Sequence, residues 1–204
     1  TRAVCDAVGV GQPVLYRIFG DKNGLLNALV ESGFERYITR KQALESTDDP
    51  VADLRNGWDD HMDFALTNQA LYRLMFSPTL PKVPAPAGRI FGLLKHTLDR
   101  CAAHGALRIP AEEAAQTILS ANVGVALSIL SQPDRYSDPG LPHRVRDAVF
   151  SSCLVDTCAP VHGEDPVLSA TLQLEARLQS PGNSPLGQEE TALMLKWLRL
   201  LREP

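Results

Sequence analysis

The sequence predicts an all-α fold, and three observations support this. Apolar residues recur three and four apart in one segment after another, the spacing that gathers them on one side of a helix. No stretch sustains the apolar–polar alternation of a half-buried strand, and no internal repeat is visible. Glycine, proline, serine and aspartate cluster between the periodic segments, where they read as turns. With 44% hydrophobic and 22% charged residues in a chain of 204, there is apolar surface enough for a sizeable core.

Residues 1–8 carry Val4, Cys5 and Val8 at helical spacing and stop at Gly9, a residue that reaches positive φ at little steric cost. A second short helix spans 12–18, with Pro13 in a first turn that does not need its N–H. Asp21 suits the N-cap of a third helix, whose apolar side holds Leu25, Leu26, Leu29, Val30 and Phe34. That helix is expected to run to about Glu45. Ser46-Thr47-Asp48-Asp49-Pro50 then breaks the pattern. The break sets the expected boundary between a helix-turn-helix head, 1–45, and a larger helical unit, 46–204.

In the larger unit, 51–67 places Val51, Leu54, Trp58, Met62 and Ala65 on one stripe. A short helix over 69–76 closes at a proline-rich loop spanning 77–86. Ile90, Phe91, Leu94, Leu98 and Cys101 line the next helix up to Gly105. After Pro110 a long helix runs to about Ser131, apolar around most of its circumference. Further helices are expected over about 142–157, 165–179 and 187–202, with loops at 133–142 and 180–187.

The formal net charge of −4 is unevenly divided. Residues 1–45 hold six Lys/Arg against five Asp/Glu, whereas 46–204 hold fourteen against nineteen. The acidity therefore belongs to the larger unit and does not bar the head from phosphates. No apolar run approaches the roughly 20 residues of a membrane span, and no basic–apolar–cleavage pattern opens the chain. Cys5, Cys101, Cys153 and Cys158 show no framework spacing, so reduced thiols and a cytoplasmic location are expected.

Helix, glycine turn, short helix is the geometry that delivers a second helix to the major groove. In the short helix Leu15 and Phe19 would pack inward, leaving Gln12, Pro13, Tyr16 and Arg17 outward. Gln can pair with adenine and Arg with guanine, and a proline ring can touch a thymine methyl. Tyr16 and Lys22 suit phosphates, Lys22 standing where a helix start itself favours anions.

The stretches Thr1-Arg2-Ala3-Val4-Cys5-Asp6-Ala7-Val8-Gly9-Val10 and Gln12-Pro13-Val14-Leu15-Tyr16-Arg17-Ile18-Phe19 are followed by Asp21-Lys22 and Leu25-Leu26. Together they resemble the DNA-binding domain of TetR-family transcriptional repressors. The resemblance covers about 30 contiguous residues. It implies that Thr1, Tyr16 and Lys22 hold phosphates, while Arg2, Gln12, Pro13 and Arg17 face bases. Family members often carry a phosphate-binding His where Ile18 stands, and their first helix would precede Thr1. The resemblance further implies a ligand-responsive regulator that needs no cofactor, working as a homodimer on a palindromic double-stranded DNA operator.

Candidates for lining a ligand cavity are Trp58, His61, Met62, Met75, Phe76, Phe91, Leu94, Leu98, Ile118, Asn122 and Ala126, alternatively plain core. His61 and Asn122 are polar beside apolar stripes, and His61 reads equally as a rim or satisfied core residue. Such a lining suits a small, largely apolar organic molecule. Asp59-Asp60-His61-Met62-Asp63 cannot converge on one ion, because consecutive helical residues diverge. Neither Cys101 with His104 nor Cys153 with Cys158 completes a ligand set, so no metal is expected. No nucleophile elbow, P-loop, zinc-protease or dinucleotide motif occurs, and no catalytic residue is assigned. The competing reading is a helical dimer that binds a ligand or partner through a head that no longer engages DNA.

Residues 111–131 are too apolar for a helix with one wet side, and 142–157 offers Val145, Ala148, Val149, Ser152 and Cys153. In the family the corresponding pair forms a four-helix bundle across a two-fold axis. Here 165–179 is the alternative interface.

Overall fold

The computed structural model describes residues 2–76, 85–155, 166–179 and 186–201. Among them are ten α-helices. They are α1 (Arg2–Val8), α2 (Gln12–Phe19), α3 (Lys22–Gln42), α4 (Pro50–Thr67) and α5 (Gln69–Met75), followed by α6 (Ala85–Ala103), α7 (Ala111–Ser131), α8 (Leu141–Cys153), α9 (Pro166–Gln179) and α10 (Gln188–Leu200). The fold is all-α, as its periodicity predicts. Extended pairing among the described residues is limited to one antiparallel bridge between Leu107 and Leu154.

The first three helices are shaped by turn chemistry. Gly9 takes φ +69° and lets Val10 N–H return to the Cys5 carbonyl at 3.1 Å. Asp21 caps α3, its Oδ1 accepting from Gly24 N–H at 2.8 Å. Gly24 is required there, because a Cβ would stand 1.8 Å from the Phe19 carbonyl oxygen. Cys5, Leu15 and Leu25, with Phe19 against them, form a small apolar cluster.

The same α3 continues into a second, much larger cluster through Val30, Phe34, Tyr37 and Ile38. There it packs on α4, α5 and α6. α7 runs through the middle, against α4, α5, α6 and α8, and α9 covers α6 with α10 upon it. One helix thus belongs to both apolar clusters.

Several expected boundaries move. α3 stops at Gln42 rather than Glu45. Its last-turn Arg40 and Lys41 are held on α4 by Asp60, and Thr47 N–H already bonds Asp53 at 3.0 Å. Leu29 is 45% exposed instead of buried. α6 begins at Ala85, so Pro86 lies in its first turn instead of in a loop. α8 ends at Cys153 rather than at 157, because Leu154 turns extended to meet Leu107. Arg108 N–H then donates to Cys153 O at 2.9 Å, and Val155 N–H to Ala106 O at 3.0 Å. Cys153 is fully buried within its own chain, which removes it from any interface between subunits. Cys158 lies outside the described residues, as do 77–84 and 180–185.

α7 has 21 residues and holds an 18-residue stretch of mean hydropathy 1.4, so by length and composition it could cross a membrane, although Gln116, Ser120 and Asn122 interrupt its apolar run. In the fold, Ala114, Ala115, Ile118, Val125, Ala126 and Leu130 bury against neighbouring helices. Leu119, Ala121, Leu127 and Ile129 are only partly covered.

Candidate functional site

α2 buries Leu15 and turns Gln12, Pro13, Tyr16 and Arg17 to solvent, on one side of two successive turns. Ile18 is also exposed, at 64%. Arg2 on α1 and Lys22 at the start of α3 are exposed. Lys22 stands in the first turn of α3, where the helix dipole favours anions. Six of the seven residues expected to meet DNA are therefore accessible in one three-helix head, and Thr1 lies outside the described residues.

A cavity of about 200 Å³ lies where the C-terminal part of α3 meets α4, α6 and α7. Its buried wall includes Tyr37, Leu54, Trp58, His61, Ile90, Ile118 and Asn122. Its rim carries the exposed residues Gln42, Leu44, Glu45, Ser46, Asn56 and His96. Of the eleven residues expected to line a pocket, Trp58, His61, Leu94, Ile118 and Asn122 do so. Met62, Met75, Leu98 and Ala126 are instead buried in the core, with Phe76 and Phe91 packed against it. The reason is geometric. Met62, Leu98 and Ala126 each sit one helical turn beyond a lining residue, where the same stripe has already closed onto neighbouring helices. Phe76 packs edge-on to Phe34, ring centroids 5.7 Å apart.

Sequence reasoning missed Leu54 and Ile90 of the buried wall, Gln42 on the rim and, deeper on α3, Tyr37 and Lys41. For Tyr37 and Lys41 the signal was available: both continue the stripe of Phe34, at three and seven residues' distance.

His61 is 1% exposed and both ring nitrogens are engaged. Nδ1 meets Tyr37 Oη at 2.6 Å and Nε2 meets Tyr72 Oη at 2.7 Å. Burial holds the imidazole neutral, pushing its pKa down to about 3, with Lys41 adding to the effect. A neutral ring has one N–H and one bare nitrogen, so one phenol accepts while the other donates. Burial likewise pushes both tyrosine hydroxyls up. His61 is thus a satisfied core histidine that also faces the cavity.

The end of α3 is clamped electrostatically. Lys41 Nζ meets Asp60 Oδ2 at 2.7 Å and donates to Gly57 O at 2.5 Å. Arg40 also pairs with Asp60, and reaches Asp63 at 2.7 Å. Burial lowers the Lys41 ammonium, with Asp60 opposing that shift. Burial alone would raise the Asp60 carboxyl, but Lys41 and Arg40 bring it below the usual carboxylate range.

Two polar atoms in the lining residues lack partners among the described residues. Trp58 Nε1 and Asn122 Oδ1 are buried with no hydrogen bond. The acidic run around His61 disperses, Asp59 pairing with Arg146 at 3.0 Å and Asp60 and Asp63 turning to α3. Among the described residues no three His, Cys, Asp or Glu gather around a common point.

A family model described as the C-terminal domain of tetracyclin repressor-like proteins matches residues 54–179, more than half of the chain. The matched span runs from the second turn of α4 to the end of α9 and includes the α4, α6 and α7 walls of the cavity. No curated protein and no solved structure matches the chain.

Proposed function

Because the chain belongs to the tetracyclin repressor-like family, we propose that it is a ligand-responsive DNA-binding transcriptional regulator, a repressor that a small organic molecule releases from its operator. One observation carries this reading. α3 starts beside the exposed face of α2, at Lys22, and ends in the wall of the cavity, at Tyr37 and Lys41. A molecule that spreads the cavity pushes the end of a helix whose start positions the head.

The head supplies Gln12, Pro13 and Arg17 for base edges, and Tyr16 and Lys22 for phosphates. Arg2 joins the base-facing set, and Thr1 the phosphate-facing set. The larger unit supplies the dimer. Ser120 and Gly124 of α7 and Ala148 and Ser152 of α8 are exposed small residues, with Leu127, Val145 and Val149 half-buried beside them. Small side chains let helices of two subunits approach closely. A two-fold dimer places two recognition helices about 34 Å apart, in successive major grooves of a palindromic site.

Linkage sets the energetics. The ligand must bind the DNA-incompetent arrangement more tightly, and a hundredfold preference corresponds to about 2.7 kcal/mol of coupling.

The test is fluorescence anisotropy of the intact protein with labelled duplexes tiled across the DNA upstream of its own gene, against scrambled duplexes. One upstream duplex is expected to bind about 1,000-fold or more tighter than its scrambled counterpart. Equal, weak binding to all duplexes at low salt would overturn the proposal and favour a dimer that binds a ligand without engaging DNA.

A further inference from the structure

The cavity wall combines enough apolar surface for a ring with two residues, Trp58 and Asn122, that each carry a buried polar atom without a partner among the described residues. Trp58 is 2% exposed and Asn122 5% exposed, and both line the cavity. Trp58 Nε1 can only donate, and as placed Asn122 Oδ1 can only accept. Leaving such groups unmatched in burial costs stability, so a native fold keeps them where something else completes the bond. The other polar groups of the inner wall are already engaged. His61 has both nitrogens bonded to tyrosines. Lys41 is matched by Asp60, and Asp53 by Arg100 at 2.7 Å and by Thr47. Among the described residues of the buried wall a charged guest would find no free counter-ion, and burying it there would be costly.

Size narrows the guest further. An apolar cavity of about 150 Å³ accepts benzene, and this one, at about 200 Å³, has room for one ring with small substituents. We infer that the cavity takes an uncharged, single-ring molecule bearing a hydroxyl, held by the Trp58 indole N–H and the Asn122 amide. A hydroxyl carries one donor and two acceptor sites, so it answers both groups. It also serves either orientation of the Asn122 amide. An ether or ketone would answer Trp58 and leave Asn122 Oδ1 unmatched.

This inference rests on the reading of the cavity as the regulator's ligand site, and its test separates the two. Isothermal titration of the intact protein compares 4-methylphenol with p-xylene, which has the same shape but a methyl in place of the hydroxyl, and with 4-methylbenzoate. 4-Methylphenol is expected to bind about tenfold or more tighter than either, the equivalent of one good hydrogen bond. In Trp58→Phe and Asn122→Leu its advantage over p-xylene, measured on the same variant, should shrink toward unity. p-Xylene or 4-methylbenzoate binding as tightly as 4-methylphenol to the wild type would overturn the inference, and so would an advantage that persists in both variants. The wild-type comparison decides even where a variant fails to fold. If the expected pattern holds but operator affinity does not change, the regulatory reading falls alone.

Discussion

Tyr37 of α3 and His61 of α4 are joined by a buried hydrogen bond of 2.6 Å between phenol Oη and imidazole Nδ1, and both line the cavity. Tyr72 holds the other ring nitrogen, so α3, α4 and α5 meet through one neutral imidazole. Tyr37→Phe keeps the ring, which also packs edge-on against Phe64 at 5.0 Å, and deletes only the hydroxyl. His61 Nδ1 is then unmatched, and global stability should fall by about 1–3 kcal/mol. Urea unfolding measures this, and a loss under about 0.5 kcal/mol would mean that the bond contributes little.

The same imidazole predicts a pH dependence. Its pKa is about 3 in the folded protein, against 6.5 for an unperturbed histidine, the value taken for the unfolded chain. Below pH 6.5 the unfolded chain takes up a proton that the folded protein refuses, so stability falls on acidification through that window. Between pH 6.5 and 5, above most carboxylate titration, this group alone removes about 1.5 kcal/mol. His61→Gln can still bond both tyrosines but cannot titrate, and its stability should fall less steeply over that range. Parallel slopes for the two proteins would refute the assignment.

At the head, the phosphate and base roles are separable. Lys22→Ala or Tyr16→Ala should weaken binding about equally for all duplexes, and losing Lys22 should lower the salt slope by about one unit per subunit. Gln12→Ala or Arg17→Ala should instead cost roughly 1–3 kcal/mol at one operator position and relax preference there. An unchanged sequence preference in Gln12→Ala would remove that residue from the base edges.

Most of the fold was legible in the sequence because it rests on local rules. Asp21 as N-cap, Gly9 at positive φ and Leu15 facing inward all follow from chemistry within a few residues. Long-range features were less readable. Gly24 looks like a defect in a helix until Phe19's carbonyl is seen against it. α8's early end depends on Leu107, far away in the chain. The cavity was half readable for a related reason: periodicity shows which side of a helix is inward, but not how far along the helix the packing opens. Ala126 and Asn122 share a stripe, yet only Asn122 reaches the cavity, so a bulky residue at Ala126 would test core packing and not the pocket.

The proposed dimer makes its own demand on α7 and α8. Gly124 and Ala148 are exposed on these helices, so Gly124→Arg and Ala148→Arg should be tolerated by an isolated subunit. In the dimer each would place a charge at the subunit contact. Light scattering at micromolar concentration should give a dimer for the wild type and a monomer for both variants. Dimers in both variants would move the interface elsewhere, with α9 the next helix to test.

In the proposed regulator the cavity and the head communicate through α3. The direct measurement is the affinity of the intact protein for its upstream duplex, by anisotropy, with and without 4-methylphenol at a concentration that calorimetry shows to fill the cavity. Leu94 lines that cavity and is remote in sequence from the head, so Leu94→Trp serves as the matched control. Filling the cavity should raise the wild-type dissociation constant about tenfold or more. The Leu94→Trp protein should bind the duplex as the wild type does without ligand and ignore the compound. A wild-type affinity that stays constant while the cavity is occupied would contradict communication through α3.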